Sequence, residues 1–272
     1  MTILCFRQRG LSMIELMLAM VLGIFLIGGI STVYISSKKT YKATNQLSQQ
    51  DENARIAIKA LREHIEHAGY MTTGIRNFAH MVTSTPSSVN CSGGDSNIVN
   101  ASSIRLSKNN LNSFGDSVAV AFRADSRLLR DCSGGSLPAA CLSSSAASMV
   151  YNSFFVAQPN TSRPPALYCG GSRNYVIQPL AEGVENIQFL YGEDNDGADN
   201  GWVVSQYVTA NAVTDWSNII AIKAALLVRS VDTVFDYAES KTYNLFGESI
   251  TTNDKYQRAV YTTTIYLRNI VR

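Results

Sequence analysis

"RQRGLSMIELMLAMVLGIFLIGG" (residues 7–29) decides how the rest of the chain is read, because it sets one acid inside a run apolar enough to cross a membrane. Glu15 is the only charge between Arg9 and Lys38, and residues 16–37 carry no charge at all. Twenty residues of helix rise about 30 Å, the thickness of a bilayer's hydrocarbon core. The run is therefore predicted to be a spanning helix rather than the shorter apolar core of a secretory signal, and no A-x-A-like cleavage site follows it. A carboxylate left alone in lipid costs about 2.5–3.5 kcal/mol even on lenient insertion scales, so Glu15 needs a partner. Arg7 and Arg9 before the run are matched by Lys38 and Lys39 after it, so charge bias sets no orientation.

Past the apolar run the helical pattern continues through "TYKATNQLSQQDENARIAIKALREHIEHAGY" (residues 40–70). Leu47, Ala54, Ile58, Leu61, Ile65 and Ala68 recur at helical spacing and predict one buried face. No proline interrupts residues 11–68, and Gly69 is a natural stop. The expectation is one helix of nearly sixty residues, about 85 Å long.

From about Tyr70 the chain changes to short alternating runs between Gly/Ser/Asn-rich loops. Strands are predicted at 103–107, 117–124, 149–158, 186–192, 220–230 and 256–270, with a loop over the Ser/Ala tract 143–148. In "IAIKAALLVRS" (220–230), Ile220, Ile222, Ala224, Leu226 and Val228 share one face of a half-buried strand. Strands without intervening helices read as one antiparallel sheet. The fold class is α+β: a long N-terminal helix, its first half spanning a membrane, whose second half (38–69) packs on an antiparallel β-sheet head (70–272).

Composition narrows the class of function. With 46% apolar and 16% charged residues the chain has enough apolar surface to fold. A net charge of +2 over 272 residues lacks the basic footprint of a nucleic-acid binder, so no nucleic-acid partner is expected.

The order of features at the N-terminus adds a resemblance. A short basic stretch ends in Gly10, then Leu11, Ser12, Met13, Ile14 and Glu15 lead into the apolar helix. This resembles the type III signal of type IV prepilins and related pseudopilins. The resemblance implies a leader over 1–10, cut by a prepilin peptidase between Gly10 and Leu11, and N-methylation of Leu11. It also implies a membrane and filament-core helix over 11–37 and an inner-membrane protein with a periplasmic head. Glu15 then stands fifth in the mature chain, where in a filament it meets the α-amine of a neighbouring subunit. Leu11 departs from the Phe that begins most major pilins, which argues for a minor subunit.

Three further segments, "ALREHIEHAGY" (60–70), "AALLVRS" (224–230) and "RAVYTTTIYLRN" (258–269), resemble PilW, a minor pilin family. That implies priming of pilus assembly and a place in a tip complex. The partners implied are other minor pilins, the major pilin, the inner-membrane assembly platform and a pilus-tip adhesin. A type II secretion pseudopilin of the GspJ type shares the architecture and is the alternative. A tip-exposed binding module, using the acidic turn described below with Trp202 and Trp216, is a second.

Five cysteines occur, and loss of Cys5 with the leader leaves Cys91, Cys132, Cys141 and Cys169, which allow three pairings. Closeness in sequence favours Cys132 with Cys141, leaving Cys91 with Cys169.

"YGEDNDGADNGW" (191–202) gathers Asp194, Asp196 and Asp199 around Gly197, the oxygen ligands and turn that calcium loops use. Its spacing is not an EF-hand's, and a plain hydrophilic hairpin loop explains it too. His64 and His67, with Glu63 and Glu66, lie at i, i+3 spacing; zinc binding is the sharp reading and a solvated helix face the expected one. "CSGGDS" and "CSGGS" lack the G-x-S-x-G pattern and a loop-borne histidine, so no enzyme is expected, and no cofactor beyond calcium at the acidic turn.

Overall fold

Residue 13 opens a helix that runs without a break to residue 65, through both the apolar run and the amphipathic stretch. This is α1, Met13–Ile65. The computed structural model describes residues 10, 12–71, 79–86, 104–144, 147–173, 177–196 and 203–269. The chain divides into two compact units, Met1–Asn45 and Gln46–Arg272.

In the first unit the helix leaves its apolar side chains in the open. Ile24, Phe25, Leu26, Ile27, Ile30, Val33 and Tyr34 are each about two-thirds exposed or more. It is the one helix among the described residues long and apolar enough to cross a membrane. Its polar groups are turned inward onto the backbone: Thr32 donates its hydroxyl to the Gly29 carbonyl at 2.8 Å. Thr40 and Thr44 do the same to Ser36 and Thr40, at 3.1 and 3.0 Å. Such back-bonding removes a hydroxyl's need for water.

In the second unit the helix buries Gln46, Gln50, Ala54, Ala57, Leu61 and Ile65, followed by Ala68. The steps of four and three keep these residues on one stripe. Ala54, Leu61, Ile65 and Ala68 are buried as expected, and Ile58 packs against the same core; the stripe departs from expectation at its N-terminal end. Leu47 is 44% exposed, and two glutamines take the place its apolarity suggested. Their amides answer backbone groups of β8 and of the loop that follows it, which a leucine could not. Gly69 ends the segment at φ +75°, donating its N–H to the Ala121 carbonyl at 2.9 Å. A side chain there would meet the Asn269 carbonyl, so glycine is required twice over.

Among the described residues the sheet has nine strands. They are β1 Lys108–Asn112, β2 Gly115–Arg123, β3 Met149–Ala157, β4 Ala166–Gly171, β5 Gln178–Glu182, β6 Val184–Glu193, β7 Gln206–Val208, β8 Ile219–Arg229 and β11 Arg258–Tyr266. Their order is β11-β8-β6-β2-β3-β4-β5, with β1 beside β2 and β7 beside β6. A separate hairpin joins β9 Glu239–Leu245 to β10 Glu248–Asp254. The pairings are antiparallel except between β2 and β6, which touch in parallel at Gly115 and Ile187. Gly115, at φ +101°, lies so close to the Ile187 carbonyl that no Cβ would fit.

The expected sheet is present, with corrections. Residues 104–107 are irregular, and the strand lies one step on, at β1. β4, β5, β7, β9 and β10 were not anticipated: "ALYCGG" reads as loop by its glycines, and "ESKTYNL" as loop by its polarity. β8 is buried on both faces rather than one. Ile222, Ala224, Leu226 and Val228 join α1 in the main core, while Ala225 and Leu227 are covered by Leu245, Tyr243 and Ile250 of the hairpin.

Candidate functional site

The helix start is a capping box. Ser12 sits just before the first helical residue, and the Ile14 N–H donates to its Oγ at 3.4 Å. In return the Ser12 N–H donates to Glu15 Oε2 at 3.2 Å. The spacing S-x-x-E satisfies two amides that a helix N-terminus otherwise leaves open, and it places a carboxylate at the positive end of the helix dipole. "SMIE" (12–15) is the sequence signal for this box, and the reading above passed over it. Around Glu15, Met13, Ile14 and Met17 are exposed at 84%, 74% and 67%, so the acid stands in an apolar collar. Gly10 precedes it as exposed backbone, with open space where a Cβ would stand. Leu11 lies outside the described residues.

The head is held by buried polar contacts. Gln50 Nε2 donates to the Val228 carbonyl at 2.7 Å, and the Asp232 N–H donates to Gln46 Oε1 at 2.9 Å. At the start of β11, Arg258 donates to Glu185 Oε1 at 3.0 Å and to both carboxylate oxygens of Asp254 at 2.6 Å. Asp116 is buried between β1 and β6, accepting the Asn110 and Phe189 N–H groups at 2.8 Å each. Burial pushes its carboxyl up to about 6, against those two bonds.

The cysteines pair otherwise than closeness in sequence suggested. Cys132 is bonded to Cys169 across 37 residues, with Cα atoms 6.0 Å apart. Cys132 and Cys169 lie in the main core, whereas Cys141 sits in a second cluster with Phe122, Leu137 and Val150. Neither Cys132–Cys141 nor Cys91–Cys169 forms. Asp131 shapes the loop that makes the link: it accepts the Ser133 and Gly135 N–H groups at 3.0 and 2.8 Å, and the Arg173 N–H at 2.7 Å. Cys141 is itself disulfide-bonded, and its partner, like Cys91, lies outside the described residues.

The acidic turn separates its members. Asp194 is buried and its N–H donates to the Asn218 carbonyl, whereas Asp196 is exposed and accepts the Ser205 hydroxyl at 3.2 Å. Asp199, Gly197 and Trp202 lie outside the described residues. The residue that organises this corner is Glu193, fully buried, which the sequence reading did not single out. Its Oε1 accepts the Thr214 N–H at 2.6 Å and hydroxyl at 2.9 Å, and its Oε2 accepts Gln206 Nε2 at 2.9 Å. Burial pushes this carboxyl up, but the bonds from Thr214, Gln206 and Asp215 outweigh it and hold it below its ordinary value. Trp216 packs edge-on to Tyr191, ring centres 4.9 Å apart.

His64 and His67 are not the solvated face expected. His64 stacks on Phe154 at 5.7 Å and His67 lies 6.2 Å from Phe122. Burial lowers both imidazoles, with each other's proximity adding to it at His64. Among the described residues no three His, Cys, Asp or Glu side chains gather as a metal would require.

Residues 153–269, running from within β3 past the end of β11, match the family of type IV pilus-assembly protein W, PilW. The match stops short of α1, so the helix and its capping box stand as independent observations. No curated protein matches the sequence. Among solved structures, a type IV-like pilin from Thermus thermophilus is similar at 15% identity, covering 82% of this chain and 98% of its own, with a TM-score of 0.44.

Proposed function

We propose that this protein is a minor pilin of the PilW family acting in type IV pilus biogenesis. The observation that carries the reading is the exposed apolar helix from Met13 to Ser37, with one acid fixed at its start, on a chain whose head matches the PilW family. An apolar helix left open over its whole circumference needs lipid or other apolar helices around it. Both occur in turn when a pilin leaves the membrane for a filament.

In this reading a prepilin peptidase cuts after Gly10 and Leu11 becomes the N-methylated first residue. The helix holds the protein in the inner membrane with the head in the periplasm. Other minor pilins and the major pilin join it through the assembly platform, and it primes assembly from a tip complex. Glu15 exchanges its bond to the Ser12 N–H for the α-amine of a neighbour. Opposite charges attract strongly in a water-poor bundle, and such a pair fixes stagger better than it adds stability. The protein works by contact, not catalysis.

The test is a strain lacking the gene, complemented with wild type or Glu15→Ala. Sheared pili, twitching motility and secreted exoproteins are measured in the same cultures. Loss of pili and motility with secretion intact, unrescued by Glu15→Ala, is expected. Intact pili with collapsed secretion would move the protein to the type II system. No change in either would leave a binding module.

A further inference from the structure

β11 lies at one end of the nine-stranded sheet, and among the described residues it pairs only with β8. The row of N–H and C=O groups on its outer side is a template for one more strand. The opposite end of the sheet is built differently. β5 has five residues, carries Pro179 and ends in Glu182. Short length, proline and charge are the means by which sheet edges avoid pairing. β11 is nine residues long without proline, and its one charge, Arg258, is buried at its start. From Ala259 to Tyr266 it has no charge, no proline and no glycine, and every residue after Ala259 is β-branched or aromatic.

What lies beside that edge indicates what it would take. An open groove of about 560 Å³ runs between α1 and β11, lined by Asp51, Arg55, Ile58, Lys59, Arg62 and Tyr261. Asp51 accepts the Tyr261 hydroxyl and is thereby occupied. Arg62 Nη2 donates to Thr263 Oγ1 at 3.0 Å, which holds its guanidinium against the edge strand. Arg55 and Lys59 have side chains 82% and 73% exposed, approached at 4.0 and 3.7 Å by Glu52 and Glu63, which do not line the groove. The lining is thus three cations about Ile58 and Tyr261, with one carboxylate, Asp51, already taken up by the Tyr261 hydroxyl. A strand added to β11 would lay alternate side chains over this groove and the others on the sheet face where Val260 and Tyr266 are exposed.

We infer that the outer edge of β11 accepts an extended segment of another protein as a further strand, with acidic side chains at alternate positions facing Arg55, Lys59 and Arg62. Backbone pairing supplies the attraction, and the cations select the sequence. The inference rests on the sheet edge and groove alone and holds apart from the filament reading.

The test uses the full chain in detergent micelles and short fluorescent peptides followed by anisotropy. One peptide alternates Glu with Val and Thr; a second carries Lys in place of Glu. Two further versions of the Glu peptide are N-methylated on alternate residues, one in each phase, so that one blocks the edge facing β11 and the other the edge facing solvent. The Glu peptide is expected to bind and the Lys peptide not. One N-methylated phase should abolish binding while the other keeps it. Arg55→Glu with Lys59→Glu, both exposed and outside the core, should weaken the Glu peptide by about tenfold or more. Equal binding of Glu and Lys peptides overturns the charge assignment. Equal effects of the two N-methylation phases, or no binding at all, overturn strand addition. Self-association through this edge that the peptide does not displace makes a second copy the occupant and overturns the inference as well.

Discussion

The Gln50 side-chain amide reaches from α1 into the sheet and donates to the Val228 carbonyl at 2.7 Å, fully buried at both ends. A helix face is usually pinned to a sheet by apolar contact, which tolerates sliding; a hydrogen bond to one carbonyl does not. Gln46 repeats the arrangement one turn earlier through the Asp232 N–H. Together they fix the height of the helix against β8. Replacing Gln50 by Ala strips a buried carbonyl of its partner and is expected to cost about 1–3 kcal/mol. Denaturant unfolding of the full chain in detergent measures it, and an unchanged midpoint would count against the pinning role.

The disulfide closes a loop of 37 residues between Cys132 and Cys169. On the chain-entropy account a loop of that length stabilises by about 4 kcal/mol. Cys132→Ser and Cys169→Ser should each lose that stability, and non-reducing peptide mapping should recover the 132–169 linked pair. A 132–141 pair in that map would contradict the fold of the loop around Asp131.

Two buried carboxyls tilt stability in opposite directions with pH. Asp116 is raised from 3.8 to about 6 in the folded protein, so the folded state binds its proton more tightly. Its contribution is full below pH 3.8 and lost as pH rises through about 6. Glu193 is lowered from 4.5, so its contribution is present above pH 4.5 and lost as pH falls through its folded value. Asp116→Asn should therefore remove a fall in stability between about pH 4 and 6. Glu193→Gln should remove a rise with pH below about 4.5. Unfolding midpoints over pH 3–8, compared with wild type, read both signs; a change of slope in the same direction for both would refute the assignment.

Charge and capping can be separated at Glu15. Glu15→Gln keeps an oxygen to accept the Ser12 N–H but cannot pair with a neighbour's α-amine. If the charge sets the subunit register, Glu15→Gln should enter sheared pili as poorly as Glu15→Ala while reaching the membrane normally. Ser12→Ala, which removes the cap and costs about 1 kcal/mol, should still be incorporated. Immunoblots of pilus and membrane fractions distinguish these outcomes.

The helix was legible in the sequence because nothing charged interrupts residues 16–37 and no proline interrupts residues 11–68. Its buried face was legible from Ala54 to Ala68 but not before it: periodicity counts apolar residues, and Gln46 and Gln50 are inside because of the backbone groups they meet. The hairpin β9–β10 was hidden for the same reason. Its residues are polar, and its signal is the tight turn at Phe246 and Gly247, both at positive φ, +54° and +103°. Closeness in sequence misled the cysteine pairing, because Cys132 and Cys141 point into separate clusters. The capping box was readable all along in "SMIE", but the apolar run drew attention to where Glu15 would sit rather than to its bond three residues back.

The central claim is that this helix is a processed pilin helix, and the N-terminus of the protein isolated from membranes tests it most directly. Intact-mass and N-terminal peptide analysis should find a chain beginning at Leu11 and carrying one methyl group on its α-amine. A mature chain that still begins at Met1 would contradict the account.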